Sequence, residues 1–201
     1  MKKKALFVLM ALAVCAALVF PAAAADTDEP SAWAAESVAA AIEAGIVPEA
    51  LQSKYVQAVT RSEFCALAVA FYETVTGEEI TEREKFDDTS DVNVEKMAAI
   101  RVVNGVGDNK FAPDNKLTRE QAATMLSRLA KAVGKPLIDA APTFADNGRI
   151  SSWAFDAAGQ LQAAGIMGGV GSNTFSPASD YTREQGILTI LRLYELVTAA
   201  P

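Results

Sequence analysis

Counted from Thr60, apolar side chains fall at offsets 4, 7, 8, 11 and 15, as Phe64, Leu67, Ala68, Phe71 and Val75. Counted from Thr118, the same offsets hold Ala122, Met125, Leu126, Leu129 and Val133. A stripe at this period marks a helix with one core-facing side. From Thr182 the stripe is blurred, because Gly186 and Thr189 take two of the places while Ile190, Leu193 and Val197 keep the others. Each stripe opens with a Thr and, three residues on, a Glu or Gln: Glu63, Gln121 and Gln185. That pattern forms a capping box, in which Thr caps the helix and the Glu or Gln returns a bond to the Thr backbone. The recurrence, at separations of 58 and 64 residues, predicts three related helices.

A shorter helix is predicted ahead of each. Trp33 to Gly45 and Trp153 to Gly165 span the same 12 residues. Ser31 and Ser152 are expected as N-caps, with Gly45 and Gly165 in the left-handed position past the C-terminus. In the middle unit Asn104-Gly105 is expected to close the helix. The loops repeat too, as Gly107-Asp108-Asn109-Lys110-Phe111-Ala112-Pro113 and Gly171-Ser172-Asn173-Thr174-Phe175-Ser176-Pro177. The fold class is therefore all-α with little strand: three helix-loop-helix units at residues 26–80, 81–140 and 141–201, joined by linkers from Gly77 to Lys85 and from Gly134 to Thr143. One hairpin of this size cannot cover its own apolar face, so the three pack together, in a line or around a common axis.

The N-terminus changes the setting. Three lysines, an apolar run from Ala5 to Phe20 and Ala23-x-Ala25 read as a secretory signal peptide over residues 1–25. The run is short for a bilayer span, and no later segment is apolar enough for one. Cleavage removes three lysines and no acids, taking the formal charge from −7 to −10. Nucleic acid is an unfavourable partner for such a chain. Cys65 is then the one remaining cysteine, expected as a buried, inert thiol. The chain has no histidine, which removes the usual general base and zinc ligand.

The capping box leaves the arginines between its members unexplained. Arg61, Arg119 and Arg183 set a cation in the first helical turn against the helix dipole, at a cost of about 0.3–1 kcal/mol. Two explanations stay open: each pairs with an acid such as Asp88 or Asp146, or presents a two-pronged fork to an anion that also faces free N–H groups of the helix start. Gly105, Gly168 and Gly169 allow a ligand close to the backbone. Trp33 and Trp153 serve as core anchors or as stacking surfaces for a sugar, the core being expected for the ring itself. The Gly107–Lys110 segment lacks the spaced acids and terminal Glu of a calcium loop, so no metal and no cofactor is expected. No carboxylate pair about 5–9.5 Å apart in a cleft is marked, as glycan hydrolysis would need, so no catalytic residue is assigned.

Taken together, the signal peptide, Phe86-Asp87-Asp88 and Phe144-Ala145-Asp146, the tryptophans, Gly165-Ile166-Met167-Gly168-Gly169, the Gly-x-x-x-Phe-x-Pro loops and Thr-Arg-x-Glu/Gln resemble the S-layer homology domain over residues 31–198. The resemblance implies three repeats packed as a pseudo-threefold spindle. It also implies secretion to the cell wall and surface layer, and grooves that grip secondary cell-wall polysaccharide, commonly through a pyruvylated sugar. The ligand residues it implies are Arg61, Arg119 and Arg183, with Asp88, Asp146, Trp33, Trp153, Gly105 and Gly169. Unit one departs from the pattern with Pro48-Glu49-Ala50-Leu51-Gln52-Ser53 in place of a glycine loop. Unit two lacks tryptophan and has Arg101 where Gly would stand. The grooves of Arg183 and Arg119 are accordingly expected to be more complete than that of Arg61. The competing reading is a scaffold that self-assembles or holds other surface-layer proteins, its arginines serving only as inter-repeat salt bridges.

Overall fold

The computed structural model describes residues 28–199, so the expected signal peptide lies outside the described residues. Six α-helices follow in order: α1 (Ala35–Glu43), α2 (Arg61–Thr76), α3 (Val92–Ala99), α4 (Arg119–Ala132), α5 (Phe155–Ala163) and α6 (Arg183–Thr198). Among the described residues, strand pairing is confined to isolated bridges, as the all-α expectation requires.

The longer helices begin where the local chemistry dictates. All three capping boxes form in both directions, Thr60 with Glu63, Thr118 with Gln121 and Thr182 with Gln185. The stripes behind them are buried, the blurred one included, apart from Val75 and Val133, which are half-buried. A Cβ on Gly186 would stand 3.5 Å from Leu67 of α2. Thr189 places its hydroxyl against Gln185 O and Tyr181 Oη, so its polarity is satisfied inside the core. Cys65 is buried, and desolvation raises its thiol, which makes it unreactive.

The shorter helices are built differently from the expectation. The N-caps of α1 and α5 are Ala34 and Ala154, with no side-chain cap. A turn precedes each helix, closed by Ala34 N and Ala35 N on Ser31 O and by Ala154 N on Ser151 O. Ser31 is therefore an anchor and not a cap, and its counterpart is Ser151, while Ser152 is exposed. Gly45 and Gly165 are left-handed, with φ of 72° and 70°. In the middle unit that place belongs to Arg101, at φ 62°, and not to Asn104-Gly105. Here α3 has already ended at Ala99, and a local turn donates Arg101 N to Ala98 O.

Each shorter helix packs chiefly on the longer helix of the unit before it: α3 on α2, α5 on α4, and α1 on α6. The last contact closes the arrangement, and α6 also touches α2 and α4. The residues just ahead of the capping threonines form a three-membered ring of hydrogen bonds. Val59 N donates to Tyr181 O (2.8 Å), Tyr181 N to Leu117 O (2.9 Å) and Leu117 N to Val59 O (2.9 Å). The second links of the helix starts are equally shared: Arg61 N and Ser62 N donate to Asn115 O and Pro113 O, Arg119 N and Glu120 N to Ser179 O and Pro177 O, Arg183 N and Glu184 N to Gln57 O and Tyr55 O. Donors that a helix start leaves open are thus occupied by carbonyls of the following unit. One continuous apolar core results.

Candidate functional site

The Phe-x-Asp sequences shape the repeated loops. Phe86 stacks against Phe111, and Phe144 against Phe175, with ring centroids 5.3 and 5.0 Å apart. Asp88 accepts from Phe111 N and Ala112 N, both at 2.8 Å. Asp146 accepts from Phe175 N (2.7 Å) and Ser176 N (2.8 Å). Ala112 and Ser176 sit at φ 58° and 57°, a left-handed conformation costing about 1–2 kcal/mol that the carboxylate bonds offset. The Phe111 amide holds the Asp88 carboxyl below its ordinary range. For Asp146 burial pushes upward, but the amides of Phe175 and Ser176 outweigh it and the net direction is again down.

The arginines brace the same loops from the carbonyl side. Arg61 donates from Nε to Phe111 O (2.9 Å) and from Nη2 to Asn104 O (3.0 Å). Arg119 repeats this one unit on, to Phe175 O (2.8 Å) and Gly168 O (3.0 Å). Each guanidinium also lies over the phenylalanine ring whose carbonyl it holds, at 4.3 Å for Arg61 and 5.3 Å for Arg119. They are 7% and 6% exposed, and burial lowers both pKa values. Arg183 meets the atypical loop of the first unit instead. It donates to Ser53 O and pairs with Glu63 at 2.6 Å, while its buried Nε has no partner.

Pairing with an acid holds for one of these arginines, and with an acid other than the two expected. Among the described residues neither Asp88 nor Asp146 pairs with one, each carboxylate being turned to two loop amides; the acid in contact is Glu63, on Arg183. The fork holds backbone carbonyls, and the helix-start amides are occupied as described above.

Two grooves lie beside the braced loops, each walled by all three units. The first, of about 320 Å³, is lined by Arg61, Gly105 and Val106 of the second-unit loop, Gln121, Thr124 and Arg128 of α4, and Trp153 of the third unit. The second, of about 520 Å³, is lined by Arg119, Gly168, Gly169 and Val170, by Tyr181, Gln185 and Arg192, and by Trp33 of the first unit. The tryptophans are 55% and 57% exposed, so the expectation of core rings is overturned: the turn before each short helix carries them out over the neighbouring helix. Gly105 and Gly169 make the loop backbone possible. A Cβ would stand 2.6 Å from Lys110 O at the first and 3.2 Å from Asn173 backbone atoms at the second. Asp88 and Asp146 line neither groove and act from behind the loop.

Arg128 and Arg192 also line these grooves, at positions that a count of apolar residues passes over. Both stand at offset 10 from the capping Thr, where the first unit has Ala70. Arg192 is exposed and donates from Nη1 to Ile166 O (3.1 Å). With the Asn104 amide turned to satisfy its neighbours, its oxygen accepts from Arg128 Nη1 at 3.3 Å. In α2, Glu63 and Ala70 replace the Gln and Arg of α4 and α6, and Glu63 neutralises Arg183. The expected ranking of grooves therefore shifts: each arginine works with the loop of the following unit, which gives the glycine loops to Arg61 and Arg119. An apolar depression of about 500 Å³ between residues 134–138 and the ends of α5 and α6 shares no residue with either groove.

Comparison with known proteins bears on this arrangement. The family model described as S-layer homology domain matches residues 86–123 and 143–185. An endoglucanase from Bacillus sp. (strain KSM-635) is 31% identical over 107 residues, 48% of this chain and 11% of that protein. A cell surface protein of Thermoanaerobacter kivui is 27% identical over 131 residues, 64% of this chain and 16% of the relative. An amylopullulanase of Thermoanaerobacterium thermosulfurigenes is 31% identical over 111 residues, 51% of this chain and 6% of the enzyme. The chain thus spans a small fraction of the length of these relatives, and the likeness to the two enzymes reaches little of either.

Proposed function

We propose, for a chain that carries S-layer homology domain sequence at residues 86–123 and 143–185, that it is a surface-anchoring protein holding an anionic, pyruvylated secondary cell-wall polysaccharide in its two grooves. S-layer homology domains are anchoring modules that bind cell-wall polymers, and one relative is named a cell surface protein. The observation that carries the reading is the make-up of each groove. An exposed tryptophan face stands opposite a glycine loop, and two arginines line the space between: Arg61 and Arg128, or Arg119 and Arg192. A sugar ring offers C–H faces to an indole, and a carboxylate on it accepts from guanidinium N–H groups. Net charge opposes an anion, so these local cations supply the attraction.

Residues 26–80 complete the assembly as a first repeat. Support comes from its capping box, its place in the hydrogen-bonded ring and its gift of Trp33 to the second groove. Its own loop has no glycine, Ala70 stands where α4 and α6 carry an arginine, and Glu63 pairs with Arg183, so two glycan sites per chain are expected. Surface-layer localisation follows from the same reading.

Sedimentation of the protein lacking residues 1–25 with native sacculi, and with sacculi stripped of secondary polymer by acid, tests the proposal. Binding should vanish on stripping. It should fall at least about tenfold when Arg128 and Arg192 both become Ala, since hydrogen bonds to charged groups contribute about 1.5–3 kcal/mol. Absence of binding to native sacculi would sink the reading in favour of a scaffold for other proteins.

A further inference from the structure

The two exposed tryptophans lack ties of their own: among the described residues neither indole has a hydrogen-bond partner. Each, however, sits two residues after a serine that is gripped from another unit. Glu184 of α6 accepts from Ser31 N through Oε2 and from Ser31 Oγ through Oε1, both at 2.9 Å. Glu120 of α4 accepts from Ser151 N (3.0 Å) and Ser151 Oγ (3.1 Å) in the same way. One carboxylate thus fixes both the backbone and the side chain of the residue from which the Trp-bearing turn starts. The serine carbonyl then closes that turn.

A helix-dipole role explains an acid in the first turn but not this reach. Glu184 is buried, and a carboxylate serving the dipole alone would stay in water. The chain also contains its own control. In α2 the matching position is Ser62, which bonds the neighbouring Thr60 hydroxyl, and the second unit has no tryptophan to place. Glu occurs at this offset only in the helices along which a tryptophan lies.

We infer that Glu120 and Glu184 are positioning residues, each holding the tryptophan of another unit as the wall of a groove: Glu120 sets Trp153, and Glu184 sets Trp33. The consequence for ligand affinity rests on the glycan reading above; the positioning itself does not.

With only two tryptophans in the chain, Trp33→Phe and Trp153→Phe each leave one reporter. Without ligand, Glu120→Ala should raise acrylamide quenching and lower the anisotropy of Trp153 while leaving Trp33 unchanged, and Glu184→Ala should do the reverse, Ala being used because a Gln could accept from the serine N–H and donate to its hydroxyl. Ser151→Ala, which removes the hydroxyl half of that contact, should shift Trp153 in the same direction by less and add little to Glu120→Ala. Equal responses of both reporters to either change, or no response, overturn the assignment. On native sacculi, each Ala variant with both tryptophans present should bind about threefold more weakly, the worth of a net hydrogen bond. Unchanged affinity beside a shifted reporter overturns the role as a ligand wall. Failure of the unaltered protein to bind sinks the glycan reading alone and leaves the quenching result to decide the positioning.

Discussion

Arg119 and Arg192 line the same groove, yet their removal tests different things. Arg119 is buried and holds Phe175 O and Gly168 O, so Arg119→Lys loses the fork and leaves at least one carbonyl without its donor. A loss of about 2 kcal/mol is expected in urea unfolding, with no ligand present. Arg192 is exposed, so Arg192→Ala should stay within about 0.5 kcal/mol of the parent and show its effect only in binding. If Arg119→Lys unfolds like the parent, the guanidinium is not the brace described. This also explains a cation in the first helical turn: two carbonyl bonds, one of them buried, and a ring contact exceed the small dipole penalty.

At the scale of the element, the loop ahead of each of α4 and α6 is held between an arginine on its carbonyls and an aspartate on its amides. The aspartate half is sensitive to acid. Both Asp88 and Asp146 have carboxyls below the ordinary range in the folded protein. A depressed folded pKa gives stability that is complete above the unfolded value of about 3.9 and is lost as pH falls through the folded value. An Asn at either place cannot accept from both amides, since its NH2 faces a second donor. Asp88→Asn and Asp146→Asn should therefore lower the melting temperature at pH 7. That gap should narrow as pH drops below about 4. Thermal unfolding followed between neutral and acid pH measures it; a gap independent of pH would count against the charged contact.

For the whole molecule, the closing contact of α1 on α6 and the ring through Val59, Leu117 and Tyr181 make every unit depend on the other two. A linear stack would lose one terminal unit at modest cost. Here, removing residues before 81 strips α1 and α2 from α6 and breaks two of the three ring bonds. The intact protein should unfold in one cooperative transition, and the truncated chain should lose its near-ultraviolet circular dichroism and sharp melting. A truncated chain with an unchanged melting profile would show that the units are autonomous.

Local chemistry determined much of this molecule by itself. The capping boxes join residues three apart, the stripes follow the helical period, and the left-handed glycines at 45 and 165 obey sterics within one turn, so all were legible from spacing. Arg128 and Arg192 were legible too, at a shared offset that an apolar count passes over. What only the tertiary structure decided is where side chains go once they leave their own unit. The shift of partners by one unit sends Arg61 to a loop 43 to 50 residues away and Arg183 to one 130 residues away. It brings Trp33 to α6 and sets Glu63 on Arg183. Repeat spacing records that the units are alike, but hydrogen bonds between them are fixed by the order in which the units close on one another, and that order is a property of the packed core.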